Sequence, residues 1–283
     1  MTRTVQSLHP AVRDDIDDLV TRRPVPGPDL DQVDPFLFLN HHGPQEYGRN
    51  NNGLPFGPHP HRGFETVTFI LEGSLSHLDT GGGESIVREG GVQWMTAGSG
   101  LVHAELSPEE FKRDGGPMEI LQLWLNLPAR LKMSDPNYVP VRAEEMAVHK
   151  LADGVTMRAV SGTDGAPVDP LTGAMLATVE IASGSKATLP APAGRSVLFY
   201  TVRGSVEIGG TQVPEWNLAR LSDGDAIEIS SENGALILFG HADPIGEPVV
   251  AHGPFVMNTR EEIVSAMRDY QMGKFGNPAT IAR

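Results

Sequence analysis

The 283-residue chain contains no cysteine, which excludes disulfides, thiolate ligands and a cysteine nucleophile and fits a reducing compartment. It is also short of positive charge, with 22 Lys and Arg against 36 Asp and Glu and a formal net charge of -14. No basic run offsets that balance, so direct binding to nucleic acid is not expected. No apolar run approaches the roughly 20 residues that span a bilayer. The start, Met1 to Pro10, lacks the apolar core of a signal peptide, and Asp14, Asp15, Asp17 and Asp18 follow it. These absences predict a soluble, cytoplasmic protein with no membrane partner. Long helical periodicities are scarce as well. The 32 glycines and 23 prolines are spread through the chain and punctuate short apolar segments, which predicts many short strands joined by turns.

Two segments place metal-capable side chains two residues apart. Gly57-Pro58-His59-Pro60-His61-Arg62-Gly63-Phe64-Glu65 holds a His-x-His pair, and Gly98-Ser99-Gly100-Leu101-Val102-His103-Ala104-Glu105 holds a His-x-Glu pair. Residues i and i+2 of an extended strand face the same side, so His59, His61, His103 and Glu105 can supply three imidazoles and one carboxylate. That set suits iron(II), nickel(II), cobalt(II), manganese(II) or zinc(II). An octahedral ion would keep two positions for substrate or dioxygen and a closed tetrahedral one none; spacing does not choose between them. Buried, hydrogen-bonded histidines are the competing structural reading. Glu65 lies four residues beyond His61, and strand parity places it on the same face. It is read first as a hydrogen-bond partner fixing an imidazole, then as a fifth ligand or a proton acceptor. Arg62 reads as a local salt-bridge residue, and His77 as a strand-surface residue. Phe36, Phe38, Phe56 and Phe64 read as core or pocket wall.

Along the first half, residues 22–33 and 40–58 read as loops, with His41 and His42 at a strand end and turn. Strands are expected at 64–71, 74–78, 92–96 and 118–125, and a brief helix behind Ser107-Pro108-Glu109-Glu110. Residues 128–140, rich in turn formers, read as the connection between domains 1–132 and 133–283. Beyond it the strand rhythm returns. Thr68 to Ser74 matches Phe199 to Ser205 at a shift of 131 residues, which sets Pro190 and Pro192 opposite His59 and His61. Matching Gly100 with Gly234 sets Ile237 and Phe239 opposite His103 and Glu105. The second unit would then be a β scaffold without a metal site. At the end, Thr259-Arg260-Glu261-Glu262 offers a capping box for an amphipathic helix with Ile263, Met267 and Tyr270 on one face, stopped near Gly273.

Asp34-Pro35-Phe36, Gly57 to Val67, Gln93 to Gly100 with His103-Ala104-Glu105, and the ending Gly253-Pro254-Phe255-Val256-Met257-Asn258-Thr259 with Glu262-Ile263 and Asp269-Tyr270 resemble the pirin family of the cupin superfamily. The resemblance runs over nearly the whole chain. It implies an all-β bicupin: two antiparallel β-barrel domains and a C-terminal helix, with metal only in the first. It implies His59, His61, His103 and Glu105 as ligands, iron(II) as the favoured ion, and nickel, cobalt, manganese or zinc as others. The function it implies is a quercetin 2,3-dioxygenase-type reaction, in which a flavonol is opened with dioxygen and carbon monoxide is released. Glu105 would accept the substrate proton and Glu65 would assist. The alternatives are a metal- or redox-responsive regulatory protein with a protein partner, or a noncatalytic small-molecule-binding cupin.

Overall fold

Strands dominate the computed structural model, which describes residues 1–281. The chain is all-β apart from short helices and one longer C-terminal helix. Among the described residues no helix is long and apolar enough to cross a membrane.

Two compact units form, and neither is contiguous. One comprises Met1–Val12, Arg22–Leu37 and Glu145–Pro244; the other comprises Arg13–Thr21, Phe38–Glu144 and the chain from Ile245 onward. The units therefore do not divide at 132/133. Strand Asn137–Val141 pairs with Val92–Thr96, covering an edge of the first barrel's sheet before the chain departs. Pro128 precedes the short 3-10 helix Ala129–Leu131 and Pro140 lies within the paired strand, so these prolines do not mark the end of a folding unit. At the other end of the chain, strand Val5–Pro10 pairs with Asn217–Leu221 of the second barrel.

In the histidine-bearing unit, one sheet runs in the order Asn137–Val141, Val92–Thr96, Phe64–Glu72, Gly116–Asn126, Phe36–Tyr47. The other runs Phe56–His61, Leu101–Leu106, Ser74–Asp79, Glu84–Arg88. Strand Phe36–Tyr47 extends well into the stretch expected to be loop, and Thr21–Val25 is a strand despite Pro24. Partners in the sheet override the local turn composition there. Helix Glu109–Asp114 follows Ser107 as expected, but with Pro108 at its N-cap and no side-chain cap. Ser107 Oγ instead accepts the amide of Leu54 at 3.1 Å.

Helix Arg260–Gln271 has the expected capping box, in which Glu262 N–H donates to Thr259 Oγ1 and the Glu262 carboxylate accepts the amide of Thr259. It buries Ile263 and Ala266, whereas Met267 is exposed. Its apolar cluster joins Leu78, Val102, Phe255 and Phe275, so the helix belongs to the histidine-bearing unit, not to a separate C-terminal half.

The second unit repeats the strand plan. Ser185–Pro190 pairs with Ala226–Ser231, placing Leu189 opposite Ile227 as Phe56–His61 pairs with Leu101–Leu106 and places His59 opposite His103. The counterparts of His103 and Glu105 are thus Ile227 and Ile229, and Gly224 takes the place of Gly100. Ile237 and Phe239 sit on Ala235–Ala242, which lies between Ser196–Ile208 and Met175–Ile181, the position held by Gly116–Asn126 in the first unit. The expected match of Ile237 and Phe239 to His103 and Glu105 slipped by one strand, and that of Pro190 and Pro192 to His59 and His61 by one residue, to Leu189 and Ala191. Leu189, Ala191, Ile227 and Ile229 all lie in the buried apolar core of that unit, so hydrophobic packing fills the space that donors occupy in the first.

Candidate metal centre

His59 and His61 lie on the edge strand Phe56–His61. Pro58 and Pro60 suit that edge, because proline has no amide hydrogen for a second ladder. His103 lies on the neighbouring strand, directly opposite His59 in register. The ring centroids are 4.3 Å apart for His59 and His103, 4.8 Å for His59 and His61, and 4.9 Å for His61 and His103. The donor atoms of the three histidines lie within 4.8 Å of one another. Nitrogens bound at about 2.0–2.1 Å to one ion are at most about 4.2 Å apart, so a small adjustment of the rings would close the group on a metal.

The ring environments favour the same use. His59 Nδ1 donates to the carbonyl of Gly57 at 2.8 Å and His61 Nδ1 to that of Pro254 at 3.3 Å, which leaves Nε2 of each as the lone-pair donor. Burial and then the nearby His59 push His61 down to about 3, against the hydrogen bond to Pro254. Burial, followed by repulsion from His59, His61 and His77, holds His103 well below the usual histidine range. Neutral imidazoles are what a divalent ion requires. His103 is 1% exposed, and neither of its ring nitrogens has a hydrogen-bond partner. Leaving such groups unsatisfied costs about 1–3 kcal/mol each; a metal ion fits this donor set.

Glu105 is not part of the three-histidine group. The pairing register with the His59 strand shifts between His103 and Glu105. The Glu105 carboxylate accepts from Thr68 Oγ1 at 3.2 Å and from Gln122 Nε2 at 2.6 Å. Gln122 and Thr68 are opposite each other on adjacent strands.

Glu65 does not share that face. Parity from His61 fails because the strand ends there: Gly63 turns the backbone at φ 88°, and Phe64–Glu72 begins in the other sheet. Phe64 and Thr68 face the histidines and Glu105, whereas Glu65 alternates to the opposite side of the sheet. There its Oε1 accepts from Trp94 Nε1 at 3.0 Å and Thr96 Oγ1 at 2.7 Å, and Oε2 has no partner. Burial pushes its carboxyl above the usual range, against both hydrogen bonds.

Aromatic rings adjoin the histidines. Trp124 lies 5.5 Å from His61 and stacks on Phe38 at 4.7 Å, and Phe64 lies 5.0 Å from His61. Phe56 packs instead beside His42 at 5.3 Å, and Phe36 is fully buried. His41 and His42 are buried strand residues bonded to Glu119 and Thr21. His77, expected at a surface, is buried; its Nε2 donates to Asp79 at 2.8 Å and its ring stacks on Tyr138 at 3.7 Å. Burial would raise Asp79, but hydrogen bonds from His77 and the amides of Gly83 and Gly81 outweigh it and hold the carboxyl low. Gln122 and Trp124 escaped notice in the sequence, although the alternation in Leu121-Gln122-Leu123-Trp124-Leu125 sets both on one face.

The comparisons with known proteins cover almost the entire chain. Residues 18–125 match the Pirin family profile, and residues 176–276 match the Pirin C-terminal cupin domain. A pirin-like protein of Caulobacter vibrioides is 38% identical over 253 residues, covering 88% of this chain and 90% of the relative. Human Pirin is 36% identical over 266 residues, covering 90% and 87%. A crystal structure of quercetin 2,3-dioxygenase from Acinetobacter baumannii superposes with a TM-score of 0.91 at 30% identity, covering 98% of this chain and 100% of that one. Two profiles in order along the chain, and relatives this similar over most of their length, establish that the chain belongs to the pirin family.

Proposed function

We propose that the protein is a metal-dependent ring-cleaving dioxygenase of the quercetin 2,3-dioxygenase type. Its ion would be held by His59, His61 and His103, with Glu105 as the fourth donor. The observation that carries this reading is His103, buried with both nitrogens unpartnered inside a three-histidine group. A bound divalent ion, with iron(II) favoured, would supply Lewis acidity toward the flavonol 3-hydroxyl and a position for dioxygen.

The chain's own residues would do the rest. Phe38 and Trp124, stacked beside His61, offer an aromatic wall to a planar ring system. Glu105, hydrogen-bonded by Gln122 and Thr68, would take the hydroxyl proton as the substrate binds. The comparison with the quercetin 2,3-dioxygenase fold supports the substrate class. In protein loaded with iron(II) or nickel(II) without air, oxygen uptake should follow admission of a flavonol and be absent with a flavone lacking the 3-hydroxyl. Equal uptake with both would remove the hydroxyl from the reaction.

Glu65 is assigned no reacting role, since it faces away from the histidines. Glu65→Gln keeps an oxygen for Trp94 and Thr96, and turnover is expected to stay within about threefold of wild type. A base in the reaction contributes about 10²–10⁴-fold, so a loss of that size on steady-state assay would return Glu65 to the chemistry.

A further inference from the structure

The segment Pro254–Met257 follows His61 by more than 190 residues, yet it is fastened to the His61-Arg62-Gly63 turn at several points. The carbonyl of Pro254 receives His61 Nδ1 at 3.3 Å. The amide of Val256 donates to the carbonyl of Arg62 at 3.1 Å. Lys132, 1% exposed, donates from Nζ to Gly63 O at 2.8 Å, Val256 O at 3.1 Å and Asn126 Oδ1 at 2.7 Å, bridging the turn and the segment. Arg62 is not a local salt-bridge residue. Its guanidinium reaches Asp269 on the C-terminal helix at 2.9 Å, donates to Ser99 O at 2.7 Å and lies 4.6 Å from the centroid of the Phe275 ring.

Burying an ammonium costs several kcal/mol unless it is fully hydrogen-bonded. Lys132 offers three N–H groups and has three acceptors. This is a costly device for joining two backbone turns, one of which carries His61 and the other the carbonyl that orients its ring. We propose that Lys132 and the Arg62–Asp269 pair are positioning residues of the metal centre. They hold the Pro254 carbonyl at the back of the His61 ring, so that Nε2 is presented to the ion in one tautomer and one orientation. The inference rests on the three histidines being a metal site. Outer partners of ligating histidines typically contribute 10–100-fold in metal affinity, and this clamp acts through such a partner.

Cobalt(II) is the probe, with its visible absorption read alongside a titration. Lys132→Met and Asp269→Ala are expected to weaken cobalt binding by about 10–100-fold and to alter the spectrum of the saturated protein. Ile263→Val, in the same tail cluster, is expected to lower stability while leaving affinity and spectrum unchanged. Asp269 lies partly at the surface, so its variant carries the test even where Lys132→Met does not fold. Wild-type affinity and spectrum in folded Asp269→Ala would overturn the clamp while leaving the metal site standing. Failure of wild type to take up cobalt would overturn both.

Discussion

His103→Leu is expected to abolish specific metal uptake and turnover while leaving the metal-free protein at least as stable as wild type. The two effects have opposite signs because the residue is a liability without an ion. In the metal-free chain His103 is buried with no partner at either nitrogen, and an apolar side chain of comparable size removes that burden. The gain should lie between zero and about 3 kcal/mol, since each unsatisfied ring nitrogen costs about 1–3 kcal/mol and the loss of packing offsets part of the two together. In the presence of metal the order reverses, since an ion that binds only the folded state adds about 2.7 kcal/mol at one hundred times its dissociation constant. Urea unfolding with chelator and with cobalt(II) reads both. If His103 were an ordinary core histidine, the substitution would leave metal uptake unaltered.

Gly63→Ala should be the most damaging small substitution near the site. Gly63 has φ 88°, where a side chain is strained, and a Cβ there would lie 2.0 Å from the backbone oxygen of Val256. Left-handed strain costs about 1–3 kcal/mol, and forcing atoms into a packed region costs a similar amount again. A loss of roughly 3 kcal/mol or more is therefore expected in urea unfolding. Val256 cannot retreat alone, because it is bound to both Arg62 and Lys132. Metal affinity should fall with stability, unlike the result for Ile263→Val. Unchanged stability in Gly63→Ala would show that the tail does not press on the turn.

The histidine pairs are legible in the sequence because strand parity is a local rule, and His59, His61 and His103 are indeed gathered. Glu65 shows where that rule ends. Its parity with His61 is interrupted by the Gly63 turn, whose consequence, a change of sheet, is set by distant pairing. Glu105 obeys parity along its own strand, but its hydrogen bonds to Gln122 and Thr68 depend on two further strands. The apolar residues at the matching positions of the second unit are legible as a chemical trend, while the counterparts of His103 and Glu105 shift from Ile237 and Phe239 to Ile227 and Ile229. A glycine match without strand pairing cannot fix that register. His77 and Lys132 look like surface residues in one dimension. Their burial comes from Asp79 and Tyr138 in one case, and from Gly63, Asn126 and Val256 in the other. The capping box at Thr259 is local and reads correctly, whereas the unit that its helix joins is decided by the tail's contacts.

Carbon monoxide measured against dioxygen consumed, in metal-loaded protein given quercetin, tests the central claim most directly. One carbon monoxide per dioxygen is expected, accompanied by the ring-opened product, with neither formed by His103→Leu. Quercetin bound by verified iron- or nickel-loaded wild type, with no carbon monoxide and no ring-opened product, would contradict the account.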